Sequence, residues 1–139
     1  MASAEELRNQ ISQNRAGLRE ALQGADGKWE QAPGGEEWTP KQIAEHVVGA
    51  EVYFANKVSE AMQGKKAEWE RQEIASAADA LTRLEAASAI ADRTYRYVED
   101  RDLTKAAEPP TDTFPKNIEG LLANAAHHLQ EHAEQLRRA

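Results

Sequence analysis

Three of the four histidines fall on the apolar faces of predicted helices, and they are the side chains of this sequence best suited to chemistry. His128 and His132 are four residues apart, so they lie one turn apart on the same face of a helix. His46 lies on the apolar face of an earlier helix, whereas His127 points elsewhere. Two imidazoles one turn apart and a third from a facing helix form a three-nitrogen set that can hold a divalent transition metal and leaves coordination positions open for water or substrate.

An alternative interpretation is that the three histidines are ordinary core residues with hydrogen-bonded rings. Buried imidazoles need polar partners, and their apolar neighbours offer few, which favours the metal interpretation. The chain contains no cysteine, so thiolate ligands and a cysteine nucleophile are excluded. A thiol could take part in the chemistry only as a small-molecule cofactor.

Four amphipathic segments are predicted to position these side chains. The clearest start signal is Thr39 as N-cap, followed by Pro40 at the first helical position and Gln42 at the third. Pro115 is predicted to occupy the first position of the last helix. The four predicted helices cover residues 4–22, 40–62, 77–99 and 115–137.

The segments between these helices set the expected topology. Residues 24–38, which include Pro33, Gly34 and Gly35, and residues 100–113 are predicted to be loops. The histidines reach the same level only if helices two and four are antiparallel, which requires an up-down-down-up order. Residues 64–76 can span roughly 40 Å when extended, enough for a crossover between helices two and three. We therefore predict an all-α four-helix bundle that forms a single domain over residues 1–139.

The composition excludes several classes of protein. The chain has 139 residues with 17 basic and 24 acidic side chains, a net charge of −7. Acidic residues are interleaved along every segment, which argues against binding to nucleic acid. No apolar run reaches the length of about 18 residues that a membrane span needs. The N-terminus lacks the pattern of a secretory signal, so we expect a cytoplasmic protein with no membrane partner.

Two segments resemble the DinB/YfiT-like family. Residues 38–46, which run from Trp38 through Thr39 to His46, match its Trp-Ser/Thr-x-x-x-aliphatic-x-x-His pattern. Residues 128–136 match its His-x-x-x-His-x-x-Gln-aliphatic ending. The two motifs occur in the family's order and on the corresponding helices, and the resemblance covers nearly the whole chain.

The resemblance implies a fold and a function. Members of that family are four-helix bundles with the crossover topology, and they include thiol S-transferases, isomerases that use a low-molecular-weight thiol, and metal-dependent hydrolases. Carried over, it makes His46, His128 and His132 the ligands of a divalent metal, with zinc or nickel expected. It also implies a small-molecule substrate and a homodimer. The alternative function is a non-catalytic bundle that binds a small ligand or a partner protein.

Three further side chains are candidate helpers at such a site. Asn124 lies one turn before His128, and Gln135 lies one turn beyond His132, so either amide could orient an imidazole or a substrate. Tyr53, two turns from His46, could donate its hydroxyl to a substrate. The flanking carboxylates do not single out a general base.

Overall fold

Four α-helices form the framework of the protein. The computed structural model describes residues 2–32 and 38–138, so the predicted loop residues Pro33, Gly34 and Gly35 lie outside the described part. The helices are α1 (Ala4–Gly24), α2 (Pro40–Ala61), α3 (Ala77–Tyr95) and α4 (Ile118–Arg138), with short 3₁₀ turns at Asp26–Lys28 and Asp100–Asp102. Within the described residues there is no β-strand, only an isolated bridge between Ala106 and Asn117. The predicted all-α four-helix bundle is confirmed.

The start of α2 follows the predicted signal. Thr39 Oγ1 accepts a hydrogen bond from the Gln42 backbone N–H at 3.2 Å, and Gln42 Oε1 accepts one from the Thr39 N–H at 2.9 Å. This reciprocal capping box pairs two N–H groups that have no partner within the helix. Pro40 at the first position loses nothing, because its missing N–H would be unpaired there.

Helix three is shorter than predicted, ending at Tyr95 instead of residue 99. Arg8 of α1 explains the difference, because its guanidinium donates to the carbonyls of Tyr95 at 3.2 Å and Val98 at 2.7 Å. A cation on these carbonyls stabilises the end of the helix. Val98 is buried, but it lies beyond the end of the helix.

The predicted start of the last helix at Pro115 is wrong, since α4 begins at Ile118. Pro115 lies in the preceding turn, where its carbonyl accepts from the Asn117 N–H at 2.9 Å. Asn117 in turn accepts a hydrogen bond from the Gly120 N–H at 2.8 Å. A Cβ on Gly120 would lie 1.8 Å from the Pro115 carbonyl oxygen, so the turn packs against the helix only because residue 120 is glycine.

The contacts between helices bring the histidine-bearing faces together. Helix α1 packs mainly on α4, α2 packs mainly on α3, and α2 also contacts α4. Trp38, just before α2, stacks on His132, whereas Phe54, later in α2, contacts His128. Such contacts are expected of antiparallel α2 and α4 in the up-down-down-up order, which stays a prediction. None of the helices in the described part is both long and apolar enough to cross a membrane.

Residues 64–76, here called the crossover segment, connect α2 to α3 without forming a helix. Asn56 of α2 holds this segment, because its amide donates to the Ala67 carbonyl and accepts from the Ala67 N–H, both at 2.8 Å. Ile74 is fully buried, and its carbonyl accepts from the Trp29 indole N–H at 3.0 Å. The crossover segment is therefore fixed to α2 and to the loop before it.

Candidate metal centre

Three imidazole rings meet where α2 faces α4. The Nε2 atom of His128 lies 3.0 Å from that of His46 and 3.1 Å from that of His132. One ring nitrogen from each of the three side chains lies within 4.8 Å of the other two. The structure thus brings together the three histidines that the sequence analysis selected. His127 is not part of the group and instead faces Glu131 at 3.4 Å.

The local structure of each helix explains this convergence. His128 and His132 are one turn apart in α4, so their rings lie on one face with centroids 4.4 Å apart. His46 lies nearly two turns into α2, in a helix whose register is set by the capping box at Thr39. Trp38 packs on two of the rings, edge-on to His46 at 5.1 Å and parallel to His132 at 6.2 Å.

Burial favours the neutral form of the His128 imidazole. It is the main cause that lowers the pKa of His128 to about 3, with smaller contributions from His132 and His46. Burial also lowers the pKa of His46, helped by the nearby charges of His132 and Arg71. A neutral imidazole has one nitrogen lone pair, which is the form that binds metal ions.

Gln135 fixes the orientation and tautomer of His132. Its side-chain Oε1 lies 2.8 Å from His132 Nδ1, and because a carbonyl oxygen can only accept, Nδ1 carries the proton. In neutral His132 the Nε2 atom therefore presents its lone pair to the other two rings. A hydrogen bond of this kind, on the ring nitrogen away from the ion, is usual for metal-binding histidines.

The donor set fits a metal ion better than it fits three hydrogen-bonded rings. His128 Nε2 is in close contact with two other ring nitrogens, and a single N–H cannot make a full hydrogen bond to both. Nitrogen ligands about 2.0–2.1 Å from an ion, at angles of about 90–110°, lie about 2.8–3.4 Å apart. The two observed separations fall in that interval, so the group fits a metal-binding site.

A cavity of about 650 Å³ adjoins His46 and His128. Four aromatic side chains and two small residues of α2 give it mainly apolar walls: Trp38, Tyr53, Phe54, Trp69, Gly49 and Ala50. Phe54 also packs on the His128 ring, with centroids 5.5 Å apart. A cavity of this size accommodates a small organic molecule next to the histidines.

The other predicted helpers have different positions. Tyr53 lines the cavity, is 48 % exposed and packs edge-on against Phe54. Asn124 is buried, but its amide holds the loop before α4 by accepting from the Thr111 N–H at 3.1 Å and donating to the Thr111 hydroxyl at 3.3 Å. Because Thr111 lines the cavity, Asn124 shapes the cavity wall and makes no hydrogen bond to His128. Of the three helpers, only Gln135 contacts a ring of the histidine group.

Sequence reasoning missed a buried ion pair in the core. Arg15 of α1 bonds to Glu51 of α2, and both residues are at most 5 % exposed. Glu51 also accepts from the Ser88 hydroxyl at 2.8 Å, and Arg15 donates to Asp92 at 2.8 Å. Burial alone would lower the pKa of Arg15, but Glu51 and then Asp92 outweigh it, so that pKa is raised. The only sequence signal was a charged residue within each apolar stripe.

Sequence reasoning also missed Arg71, a residue of the crossover segment that lines the cavity. Residues 65–75 have no helical or strand periodicity, so nothing in the sequence indicated which side chains of this segment would face α2. Its place in the cavity depends on the tertiary contacts that fix the crossover segment to α2.

Comparison with known proteins gives the family. No curated protein and no solved structure matches this chain. A sequence model of the DinB superfamily matches residues 10–136, which include α2 and α3 completely, most of α1 and α4, and all three histidines of the group. Together with the four-helix bundle and the converging imidazoles, this match shows that the chain belongs to the DinB superfamily.

Proposed function

We propose that this protein is a divalent-metal-dependent enzyme that acts on a small molecule, either by hydrolysis or by transfer of a thiol. The ion is held by His46, His128 and His132. The observation that carries the proposal is the convergence of three ring nitrogens, with separations of 3.0 and 3.1 Å around His128, beside a cavity of about 650 Å³. Membership of the DinB superfamily supports it.

The residues of the chain have defined tasks in this proposal. The bound ion supplies Lewis acidity, which lowers the pKa of water or of a thiol towards neutrality. Gln135 keeps the lone pair of His132 directed into the group. Trp38 packs against the imidazole of His46 and Phe54 against that of His128, while the remaining aromatic walls receive the apolar part of a substrate.

The choice between hydrolysis and thiol transfer depends on the second reactant. The chain has no cysteine, so a thiol must enter the cavity as a separate small molecule. Zinc and nickel are the expected ions, because imidazole nitrogen suits both. A low-molecular-weight thiol is therefore a proposed cofactor of the transferase reaction and is unnecessary for hydrolysis.

Metal content is the experiment that tests this proposal first. Untagged protein is analysed by plasma mass spectrometry beside the His46→Ala and His128→Ala variants. His127→Ala is the matched control, because His127 neighbours His128 in sequence but faces Glu131. We expect a near-stoichiometric transition metal in the wild type and the control and less than a tenth of it in the two ligand variants, with unchanged helical circular dichroism.

Turnover is then measured with the metal-loaded proteins, using an activated ester for hydrolysis and an electrophilic dye with a small thiol for transfer. Metal-dependent turnover that is lost in His128→Ala but kept in His127→Ala supports the enzyme. Wild-type protein that takes up no metal, even after incubation with zinc and nickel, contradicts it. That result would favour a non-catalytic module that binds a small ligand or a partner protein.

A further inference from the structure

The side chain of Arg71, in the crossover segment, has no hydrogen-bond or ion-pair partner among the residues that the structure describes. The three residues that follow it are each held by another element: Gln72 by Arg83 at 2.8 Å, Glu73 by Lys41 at 2.9 Å, and the Ile74 N–H by Glu45 at 3.0 Å. The guanidinium of Arg71, in contrast, forms no ion pair or hydrogen bond with any residue that the structure describes. The chain that follows Arg71 is thus fixed, while the positive charge of Arg71 stays available to bind a ligand.

The available charge lies at the cavity beside the histidines. Arg71 lines that cavity together with His46, and its positive charge contributes to lowering the pKa of His46. Lys41, the other cation of this region, is engaged by Glu73 at 2.9 Å and lies 3.7 Å from Glu30. Apart from the histidines, Arg71 is the one basic residue among the described residues that line the cavity.

The polar groups near Arg71 allow a further hydrogen-bond acceptor to bind there. Glu45 is the one acidic residue of the described cavity wall, and one of its oxygens already accepts from the Ile74 N–H. Trp69 lines the same cavity, and its Nε1 would lie 3.9 Å from a Cβ on Gly49, so the indole edge faces α2. Its N–H has no acceptor within the described residues. The crossover segment therefore brings two unpaired donors, one of them charged, to mainly apolar walls.

We propose that the cavity binds a small organic acid, with its apolar body against the aromatic walls and its carboxylate on Arg71. A guanidinium binds a carboxylate through two parallel hydrogen bonds, which are stronger than bonds between neutral groups. Buried aromatic side chains contribute most of the remaining binding energy of such sites. This inference rests on the proposed function in one respect, because it takes the cavity to be the place where the substrate binds beside the three histidines.

The carboxylate can belong to the substrate or to a small thiol, and two pairs of probes distinguish these sources. The first pair is 3-phenylpropionate and 3-phenylpropanamide, which contain no thiol. The second pair is N-acetylcysteine and N-acetylcysteinamide. Binding is measured at pH 8 by shifts of the indole ¹⁵N–H signals in NMR spectra. A chelator is present, so that a bound metal cannot be the reason why an acid binds more tightly than its amide.

We expect at least one acid to bind about tenfold or more tightly than its amide, as charge-assisted hydrogen bonds predict. Arg71→Gln is expected to abolish this preference and to leave the affinity for the amide unchanged. Arg19→Gln is the matched control, because Arg19 is an exposed arginine of α1 and does not line the cavity. A preference limited to the first pair assigns the acid to the substrate, and one limited to the second assigns it to the thiol.

Two results would overturn the inference: equal or undetectable binding of acid and amide in both pairs, or a preference that survives Arg71→Gln. Either result leaves the metal hypothesis intact, because these titrations contain no metal. Conversely, a protein that takes up no metal in the metal-content measurement but prefers the acid here would contradict the proposed enzyme and support the acid site.

Discussion

Replacing Gln135 tests whether the histidine group is tuned for a metal. Gln135→Leu removes the acceptor of the His132 Nδ1–H and keeps a side chain of similar volume. His132 is only 7 % exposed, so water does not easily replace the lost partner. The ring can then rotate or change tautomer, and Nε2 no longer reliably presents its lone pair to the other two imidazoles.

The size of the effect follows from this hydrogen bond. Loss of a partner behind a ligating histidine lowers metal affinity by about 10–100-fold, which corresponds to about 1.4–2.7 kcal/mol. Gln135→Glu is expected to act in the opposite direction. A carboxylate accepts more strongly from Nδ1–H and makes the imidazole more basic, so its zinc affinity should equal or exceed that of the wild type.

Zinc affinity is measured by competition with a chromophoric chelator at pH 7.5. Gln130→Leu is the matched control, because Gln130 is an exposed residue of the same helix whose amide donates to Glu134 at 3.4 Å. Thermal melts of the chelated proteins report separately on stability. The reasoning fails if Gln135→Leu binds zinc within twofold of the wild type, or if the Leu and Glu variants are weakened equally.

Two further predictions concern stability. Glu51→Leu leaves Arg15 buried without its main partner and should lower the free energy of unfolding by about 3–5 kcal/mol, or Tm by about 10–17 °C for a chain of this length. The double variant Arg15→Met/Glu51→Leu should recover most of that loss in the same thermal melts, and a double variant as unstable as the single one would contradict this. The Lys105 ammonium and the Glu99 N–H lower the pKa of Asp102, so its contribution is present above the unfolded pKa of about 3.9 and is lost as pH falls through the folded value. Asp102→Asn should therefore lower Tm most at pH 7 and progressively less as the pH falls below about 3.9, and a pH-independent difference in calorimetry would refute this assignment.

The helices were predictable because their signals are local. An N-cap, a proline at the first position and a stripe of period 3.6 act within one or two turns, so the start of α2 is found from Thr39 and Pro40 alone. The predicted start of α4 at Pro115 and the predicted end of α3 at residue 99 were wrong because groups outside each helix decide these boundaries. Arg8 of α1 binds the end of α3, and the close approach of residue 115 to Gly120 displaces the start of α4.

The candidate site was likewise predictable where its geometry depends on local spacing and not where it depends on contacts between helices. The spacing of His128 and His132 places both rings on one face whatever the tertiary structure. The ring of His46 meets both of them from α2, although His46 itself is exposed at the surface. In contrast, the partnership of Arg15 with Glu51 joins residues of different helices, and a charged residue in an apolar stripe does not reveal its partner. Pairings of this kind depend on how the helices are arranged.

The crossover segment links the two parts of the site. To connect α2 to α3 it passes along α2, where Asn56 and Glu45 hold its backbone at Ala67 and Ile74. The residues between these two anchor points include Trp69 and Arg71, and both line the cavity. The connection between α2 and α3 thus also supplies the cavity with an aromatic wall and a cation. For this reason the metal ligands of the proposed enzyme come from helices, whereas the group that would select its substrate comes from a segment with no regular structure.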